Sequence, residues 1–400
     1  MKNLKQRITD ILEEDSQRVL LQDDLSTWSS SRIQQKSSEI VSLIEKYTWP
    51  HQRVGVVFPN SAIQAVCILS VILAGRVPVI LSHLDVSQDP EKWLYKTKLS
   101  LLIASDDLFQ TNQKLGSGLG LNGYGEVTAF HVSPIFQFLK ITDYLNSTPH
   151  GTALMLYTSG STGEPKGVFV PESGLLATID YLTDYFQLST TTVSPILLPV
   201  CHSMALNTQF LPTFLVGGLS YFINARLSMG QIFRHIHQTQ GTFVSMIGEV
   251  LRACFDEKKR KNLPANVHVR HVQMAGGMIL PQHIAMAKDL FPNAKLHKGY
   301  GLTEAIRVTM IDSTHPDFAS AVVGKPLPFQ KIEIRSTDGQ QVPMGETGEI
   351  FVKGPNVMLG VCGQASAKLD PDGFLSTGDL GYFNDNGELC IVGRADSIFK

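Results

Sequence analysis

The chain has 400 residues, 43% hydrophobic and 18% charged, enough to bury a large core and to form two or three domains or subdomains. Its net charge of −2 excludes a general attraction to nucleic acid or to acidic membrane surfaces. The cysteines, Cys67, Cys201, Cys254, Cys362 and Cys390, are odd in number and form no CxxC pair, which fits a reduced cytoplasmic protein without a disulfide framework or a zinc site.

In chain order, Met1 to Glu14 interleaves charges with spaced apolar residues, an amphipathic helix lacking the apolar centre of a secretory signal. Arg53–Phe58 reads as a strand and Pro59-Asn60-Ser61 as a turn and helix start. The most apolar run, Ala65–Gly75, is stopped by Arg76 and falls short of the roughly 18 residues needed to span a bilayer. It predicts a buried core helix. Val77–Leu81 completes a βαβ unit and Lys98–Ile103 adds another strand, so the first third predicts alternating α/β with a mainly parallel sheet. Asp107 to Glu126, interrupted by Gly116, Gly118, Gly120, Gly123 and Gly125, reads as an exposed loop-rich excursion. Helices over Leu175–Phe186 and Ile232–Gln238, with strands over Ser194–Pro199 and Thr242–Ser245, predict a second α/β lobe. From Gly324 the pattern changes to short strands, Lys331–Ile334, Gly348–Val352 and Glu388–Val392, with tight turns at Thr337-Asp338-Gly339 and Asp385-Asn386-Gly387. This part reads as a small β-barrel.

The stretch Tyr157-Thr158-Ser159-Gly160-Ser161-Thr162-Gly163-Glu164-Pro165-Lys166-Gly167-Val168 joins two apolar runs of strand character. Glycines let backbone N–H groups turn towards a ligand, the Ser and Thr hydroxyls add donors, and Lys166 supplies a mobile charge suited to a polyphosphate. It is not a Walker A loop, which needs Lys followed directly by Ser or Thr and then a helix. A plain surface hairpin normally needs about two to five loop residues, and nothing structural requires the unbroken run from Thr158 to Gly163.

This stretch resembles the phosphate loop of the adenylate-forming superfamily: acyl- and aryl-CoA synthetases, luciferases and the adenylation domains of peptide synthetases. The resemblance continues, in family order, through Gly299-Tyr300-Gly301-Leu302-Thr303-Glu304, Ser376-Thr377-Gly378-Asp379-Leu380 and Gly393-Arg394-Ala395-Asp396. It implies an acyl-CoA synthetase-like large domain: two α/β lobes with mainly parallel sheets over residues 1–323, a small β-barrel subdomain over 324–393, and a hinge at Asp396 within 394–400. A mobile domain carrying a second lysine usually follows that hinge. The chain ends at Lys400, so truncation is expected, with turnover by residues 1–400 alone impaired.

The resemblance also implies roles. Thr158, Ser159, Gly160, Ser161, Thr162, Gly163 and Lys166 would hold the ATP phosphates, with Thr162 close to a magnesium ion and Glu304 reaching the same ion. Tyr300 and Gly301 would lie against the adenine, Thr303 near the α-phosphate, Asp379 on both ribose hydroxyls, and Arg394 as a further nucleotide contact. Lys166, Thr303 and Glu304 would carry the catalysis. Gly276 and Gly277, in Met274-Ala275-Gly276-Gly277-Met278, would let the backbone approach the carboxylate and adenine. His202 would stand at the acid pocket, with Met246, Ile247, Gly276, Gly299 and Leu302 as further walls. Cys201 and His202 are rejected as a nucleophilic pair, because adjacent strand residues face opposite ways.

The implied activity is ATP-dependent conversion of an acyl or aryl acid to an acyl-adenylate, then transfer to the thiol of CoA or of a carrier-protein phosphopantetheine. The implied partners are a small carboxylic acid and, for the second acceptor, an acyl carrier protein, with no nucleic acid and no membrane span. Amino-acid-activating relatives carry an Asp after the pocket Phe to bind the ammonium, and no acidic residue occurs here between Asp184 and Glu249. Acids without an α-amine are therefore expected. A stand-alone amino-acid adenylation protein, a nucleotide or acyl-adenylate binder without turnover, and a kinase-like γ-phosphoryl transferase remain as alternatives. Met358-Leu359-Gly360-Val361 departs from the Gly-Tyr usual in relatives, with no consequence assigned.

Overall fold

The computed structural model describes residues 2–111, 119–121, 130–134, 148–158, 164–223, 229–363 and 369–395. Its largest sheet has eight strands in the order Gly360–Val361, Lys166–Pro171, Thr152–Thr158, Val77–Ser82, Arg53–Phe58, Leu101–Ser105, Phe130–Pro134, Leu119–Leu121. The middle strands, from Thr152–Thr158 to Leu101–Ser105, are parallel, as the βαβ reading required. Both edges turn antiparallel.

Alternate residues of a strand face opposite ways, and here both faces are buried. Val54, Val56 and Phe58 pack with Leu101, Ile103, Leu154 and Leu156 against apolar residues of helices Leu4–Glu14, Ser30–Tyr47 and Ala62–Leu73. Val57, Val79, Leu81, Leu102 and Met155 pack on the other side with Val86, Trp93 and Leu108. Ala62–Leu73 is buried along almost its whole length, the expected core helix, and its Ser61 accepts the N–H of Gln64 at its start. The strand expected from Lys98 begins at Leu101 instead. Lys98 has φ 50° as the left-handed cap of helix Pro90–Thr97, a conformation that cannot open a strand. Within Asp107–Glu126, helix Asp106–Thr111 and strand Leu119–Leu121 replace part of the expected loop, and the rest lies outside the described residues.

The second lobe holds two four-stranded sheets. In one, Val193–Ile196 and Leu219–Phe222 run parallel and are extended by Val19–Gln22 and Thr27–Ser29, strands the sequence reading missed. These are short, and Leu21 pairs with Ser220, far along the chain. In the other, Phe243–Ile247, His271–Ala275 and Lys295–Lys298 are parallel, with Ile311–Asp312 antiparallel at the edge. Helices Met229–Gln238, Gly248–Lys261 and Pro281–Leu290 supply Ile232, Leu251, Cys254 and Ala287 to the apolar core over one face of this sheet. Glu172–Tyr185 is the helix expected from Leu175, and the strand expected to reach Pro199 stops at Ile196.

The last sheet is antiparallel: Val322–Gly324, Leu389–Arg394, Leu375–Phe383, Gly348–Lys353, Lys331–Arg335. Ile332, Ile334, Ile350, Val352, Leu375 and Leu389 form its core. The turns at Gly339 (φ 83°) and Gly387 (φ 70°) use the left-handed region that glycine enters freely. Its longest strand, Leu375–Phe383, was hidden by the polar Ser376-Thr377-Gly378-Asp379 run.

Candidate active site

Thr152–Thr158 and Lys166–Pro171 form an antiparallel hairpin in which Thr158 stands opposite Lys166. The expected phosphate loop is therefore the hairpin's connection. Ser159, Gly160, Ser161, Thr162 and Gly163 lie outside the described residues. The segments on either side of them are braced. Glu164 is bridged to Lys92 (3.3 Å) and Lys96 (2.8 Å) on helix Pro90–Thr97, and these two ammonium groups hold its carboxylate below the usual range. Tyr157 donates its hydroxyl to the Lys96 carbonyl (3.2 Å) and meets Trp93 edge-on at 5.0 Å. A Cβ on Gly167 would stand 2.1 Å from Met155 Cε and 2.8 Å from the Tyr157 ring, so this glycine serves close packing at the hairpin's base.

The stretch 356–362 laces the hairpin to the next motif. Gly360 and Val361 pair with Phe169 and Val168, Leu359 N–H donates to the Phe169 carbonyl (2.9 Å), and Cys362 N–H donates to that of Gly167 (2.7 Å). Met358 N–H donates to the Glu304 carbonyl (2.8 Å). Buried Asn356 donates its side-chain amide to the carbonyls of Ile306 and Arg307. Met358–Val361 thus ties the phosphate-loop strand to Glu304 through backbone bonds, and its departure from the Gly-Tyr of relatives has no structural explanation.

The turn around Gly299–Glu304 is closed rather than loose. Val308 and Thr309 N–H groups both donate to the Tyr300 carbonyl (2.7 and 3.2 Å), and Leu302 N–H donates to the Ala305 carbonyl (2.9 Å). A Cβ at Gly301 would come within 2.7 Å of the Arg307 nitrogen, so the chain needs glycine there. Tyr300 is buried and donates its hydroxyl to Asp379 (2.6 Å). Burial and the neighbouring Asp379 push its phenol up. Asp379 also accepts from Arg394 (3.1 Å), and Arg394 donates to the Thr377 carbonyl (3.4 Å). Asp379 lies within a strand, not in a tight turn, while Gly378 (φ 73°) keeps the space below the Arg394 guanidinium clear, at 3.3 Å from the position of a Cβ. Tyr300, Asp379 and Arg394, far apart in sequence, are one hydrogen-bonded group. Thr303 and Glu304 are half-buried beside it in the chain.

At the substrate end, Gly276 (φ 87°) and Gly277 (φ 135°) are exposed on an open cleft of about 560 Å³ that Gly248, Glu249, Arg252 and His283 also line. Ile247 is half-buried, its Cγ2 2.8 Å from where a Gly276 Cβ would stand. Met246 packs into the apolar core of the second lobe. Gly299 and Leu302 are half-buried. His202 keeps an exposed surface, and desolvation by the protein around it lowers its pKa, with Asp85 opposing. Cys201 and His202 occupy a turn, closed by His202 N–H donating to the Pro199 carbonyl (3.0 Å), so the strand argument against their pairing does not apply. Burial pushes the Cys201 thiol up to about 12, which removes it as a nucleophile on chemical grounds. Asp396 lies outside the described residues.

Sequence reasoning missed Asn356, Lys92 and Lys96. Each acts on a segment remote in the chain, and no local pattern marks them. Among the described residues no three His, Cys, Asp or Glu side chains cluster as a metal cage.

A family model described as AMP-binding enzyme matches residues 14–361. A feruloyl-CoA synthase from Amycolatopsis is 27% identical over 349 residues, 86% of this chain and 69% of the relative. A long-chain-fatty-acid-CoA ligase structure from Archaeoglobus fulgidus superposes with a TM-score of 0.81 at 19% identity, covering 98% of this chain and 84% of that one. An O-succinylbenzoate coenzyme A synthetase from Bacillus subtilis, in complex with AMP, gives 0.77 at 20% identity over 97% of this chain and 98% of that one. The fold expected from the motifs is the fold observed.

Proposed function

The chain belongs to the AMP-binding enzyme family, and on that basis we propose that it activates a carboxylic acid with ATP and passes the acyl group to a thiol, of CoA in the first instance. The observation that carries the reading is the Tyr300–Asp379–Arg394 group: a buried aromatic ring, a carboxylate able to accept from two ribose hydroxyls, and a cation beside them.

No general base is needed. A carboxyl group with a reference pKa of about 4 is ionised near neutral pH, so the protein's task is to bring two anions together and stabilise charge moving onto the leaving phosphates. A substrate carboxylate oxygen attacks the α-phosphorus, the bond to the β-phosphate oxygen breaks, and pyrophosphate leaves. A thiolate then attacks the acyl carbonyl and AMP leaves. Lys166 at the end of the hairpin supplies the protein charge for the first step, and the loop from Thr158 to Gly163 supplies donors. A magnesium ion carried by the triphosphate would be met by Glu304 and Thr162 and would neutralise the phosphates. One half-buried carboxylate without a cage fits that ion, which usually binds through one or two carboxylates plus phosphates.

The same proposal extends to acyl or aryl acids rather than amino acids, a carrier-protein phosphopantetheine as the alternative acceptor, a subdomain boundary at residue 324, and a hinge at Asp396. Incubating the intact gene product with ATP, magnesium and a panel of acids and amino acids tests it. AMP and pyrophosphate are expected with acyl or aryl acids, and Lys166→Ala should lower their formation about 10²-fold, as loss of other preorganised charge-stabilising groups does. Appearance of ADP instead would move the protein to the phosphotransferases, and robust exchange with amino acids alone would favour the amino-acid reading.

A further inference from the structure

The cleft at the substrate end holds a buried donor that the nucleotide reading leaves without a task. The strands leading to the cleft fix where it lies. Phe243–Ile247, His271–Ala275 and Lys295–Lys298 run parallel, with Ile247 opposite Ala275 and Met274 opposite Lys298. Gly248, Gly276 and Tyr300 therefore leave the carboxyl ends of three neighbouring strands, the edge at which open α/β sheets bind ligands. Gly276 is one strand from Tyr300 and Gly248 is two, roughly 10 Å at the usual strand spacing. The tail of an acyl-adenylate can cover that distance.

His283 is 9% exposed and lines the cleft. Its Nδ1 accepts the Leu280 N–H (3.2 Å) at the start of helix Pro281–Leu290, so in the neutral ring the proton sits on Nε2. Among the described residues Nε2 has no partner. It lies 3.5 Å from where a Cβ on Gly248 would stand, so that glycine keeps the approach to the ring clear. Helix Gly248–Lys261 begins there without a side-chain cap, leaving its first N–H groups open as well. Further along this helix Glu249, Arg252 and Asp256 line the cleft, exposed and unpaired among the described residues. Two carboxylates against one guanidinium disfavour a tail that ends in an anion. A ligand filling the cleft strips water from Nε2, and a tail of hydrocarbon alone would leave that donor unsatisfied.

We infer that His283 determines specificity by donating its Nε2–H to a neutral oxygen, carbonyl or hydroxyl, in the tail of the acid, so that oxygenated acids are preferred over plain hydrocarbon ones. This rests on the acid-activating reading above.

Non-hydrolysable acyl-sulfamoyl adenosines test it by calorimetry on the 400-residue chain, without turnover. Straight-chain mimics of several lengths and para-substituted benzoyl mimics, ending in an acetyl group that accepts but cannot donate, are compared with isopropyl-ended mimics of the same shape, with AMP as a control. In the wild type at least one acetyl-ended mimic should bind about tenfold or more tighter than its isopropyl-ended counterpart. His283→Glu keeps an acceptor for the Leu280 N–H, as in a capping box, and supplies no donor, so it should abolish the preference while leaving AMP affinity unchanged. His283→Gln, able to accept and to donate, should retain it. Gly248→Ala crowds Nε2 without touching the cap, and repeats the comparison if the Glu variant does not fold. Equal or tighter binding of the isopropyl series by the wild type, a preference that survives in whichever of the Glu and Ala variants folds, or its loss in the Glu and Gln variants alike overturns the assignment and leaves acid activation standing. Failure of both series with AMP still bound overturns acid activation and this assignment together.

Discussion

The two sheets that support the candidate site are built on different terms. The eight-stranded sheet is apolar on both faces, Val56 and Leu156 on one and Val57 and Met155 on the other. The Phe243–Lys298 sheet is apolar where Val244, Met246, Val272, Met274 and Leu296 meet its helices, and on its opposite face Phe243 packs on Phe186. That opposite face also buries the polar Ser245, Gln273 and His297, and each has a polar partner. Gln273 donates to Thr208 (2.9 Å) and Ser245 (3.1 Å), and His271 Nδ1 faces His297 Nε2 at 3.0 Å, with Tyr185 Oη 3.3 Å beyond. Apolar burial is non-directional, whereas a buried polar group left unpaired is costly, so the second kind of face specifies one orientation. The phosphate-loop hairpin hangs from the first sheet and the Gly299–Glu304 turn follows the last parallel strand of the second.

The contrast between the sheets is tested most severely by Leu69→Ala in the fully buried Ala62–Leu73 helix, which should cost about 2–5 kcal/mol in denaturant unfolding through lost transfer energy and a cavity. A loss under about 1 kcal/mol would mean that the apolar layer can collapse around the gap and is less tightly built than its burial suggests. Next in size is the pH response of the polar face. Burial depresses His297 to about 3 and also lowers His271. Below the unfolded value near 6.5 the unfolded chain takes up protons that the native state refuses. Stability is therefore full above about pH 6.5 and falls as pH drops toward 3, His297 alone accounting for about 2 kcal/mol by pH 5. Unfolding followed from pH 7 to 5 should show that slope, and His297→Gln should flatten it; an unchanged slope in the variant would assign the acid sensitivity elsewhere. The smallest effect belongs to the exposed brace on the hairpin. Glu164→Ala should leave the unfolding midpoint where it is and raise the KM for ATP about threefold at low salt, a difference that salt should erase, since exposed pairs are weak and screened.

Legibility in the sequence divides along the same line. Arg53–Phe58, Ala62–Leu73 and Val77–Ser82 were legible because burial on both sides turns them into unbroken apolar runs, and Gly339 and Gly387 because a tight turn needs a residue free to take positive φ. The motifs around Lys166, Tyr300, Glu304 and Asp379 were legible because their chemistry requires those residue types in short, fixed stretches. Leu375–Phe383 was hidden, since its alternation is broken by polar residues that serve the site. Val19–Gln22 was hidden too, since its partner strand lies near residue 220.

Residue order alone was enough for the kinds of element, the apolar core around the first sheet, and the groups able to meet a nucleotide. Folding in three dimensions was needed to join Tyr300, Asp379 and Arg394 into one hydrogen-bonded group, to stitch the phosphate-loop strand to Glu304 through Met358–Cys362, and to let Asn356 hold Arg307 in a left-handed conformation over Gly299. The difference is one of range: backbone preference and hydrophobic period act between near neighbours in the chain, whereas a hydrogen bond between residues 79 apart, as from Tyr300 to Asp379, has no trace in either until packing brings the two together.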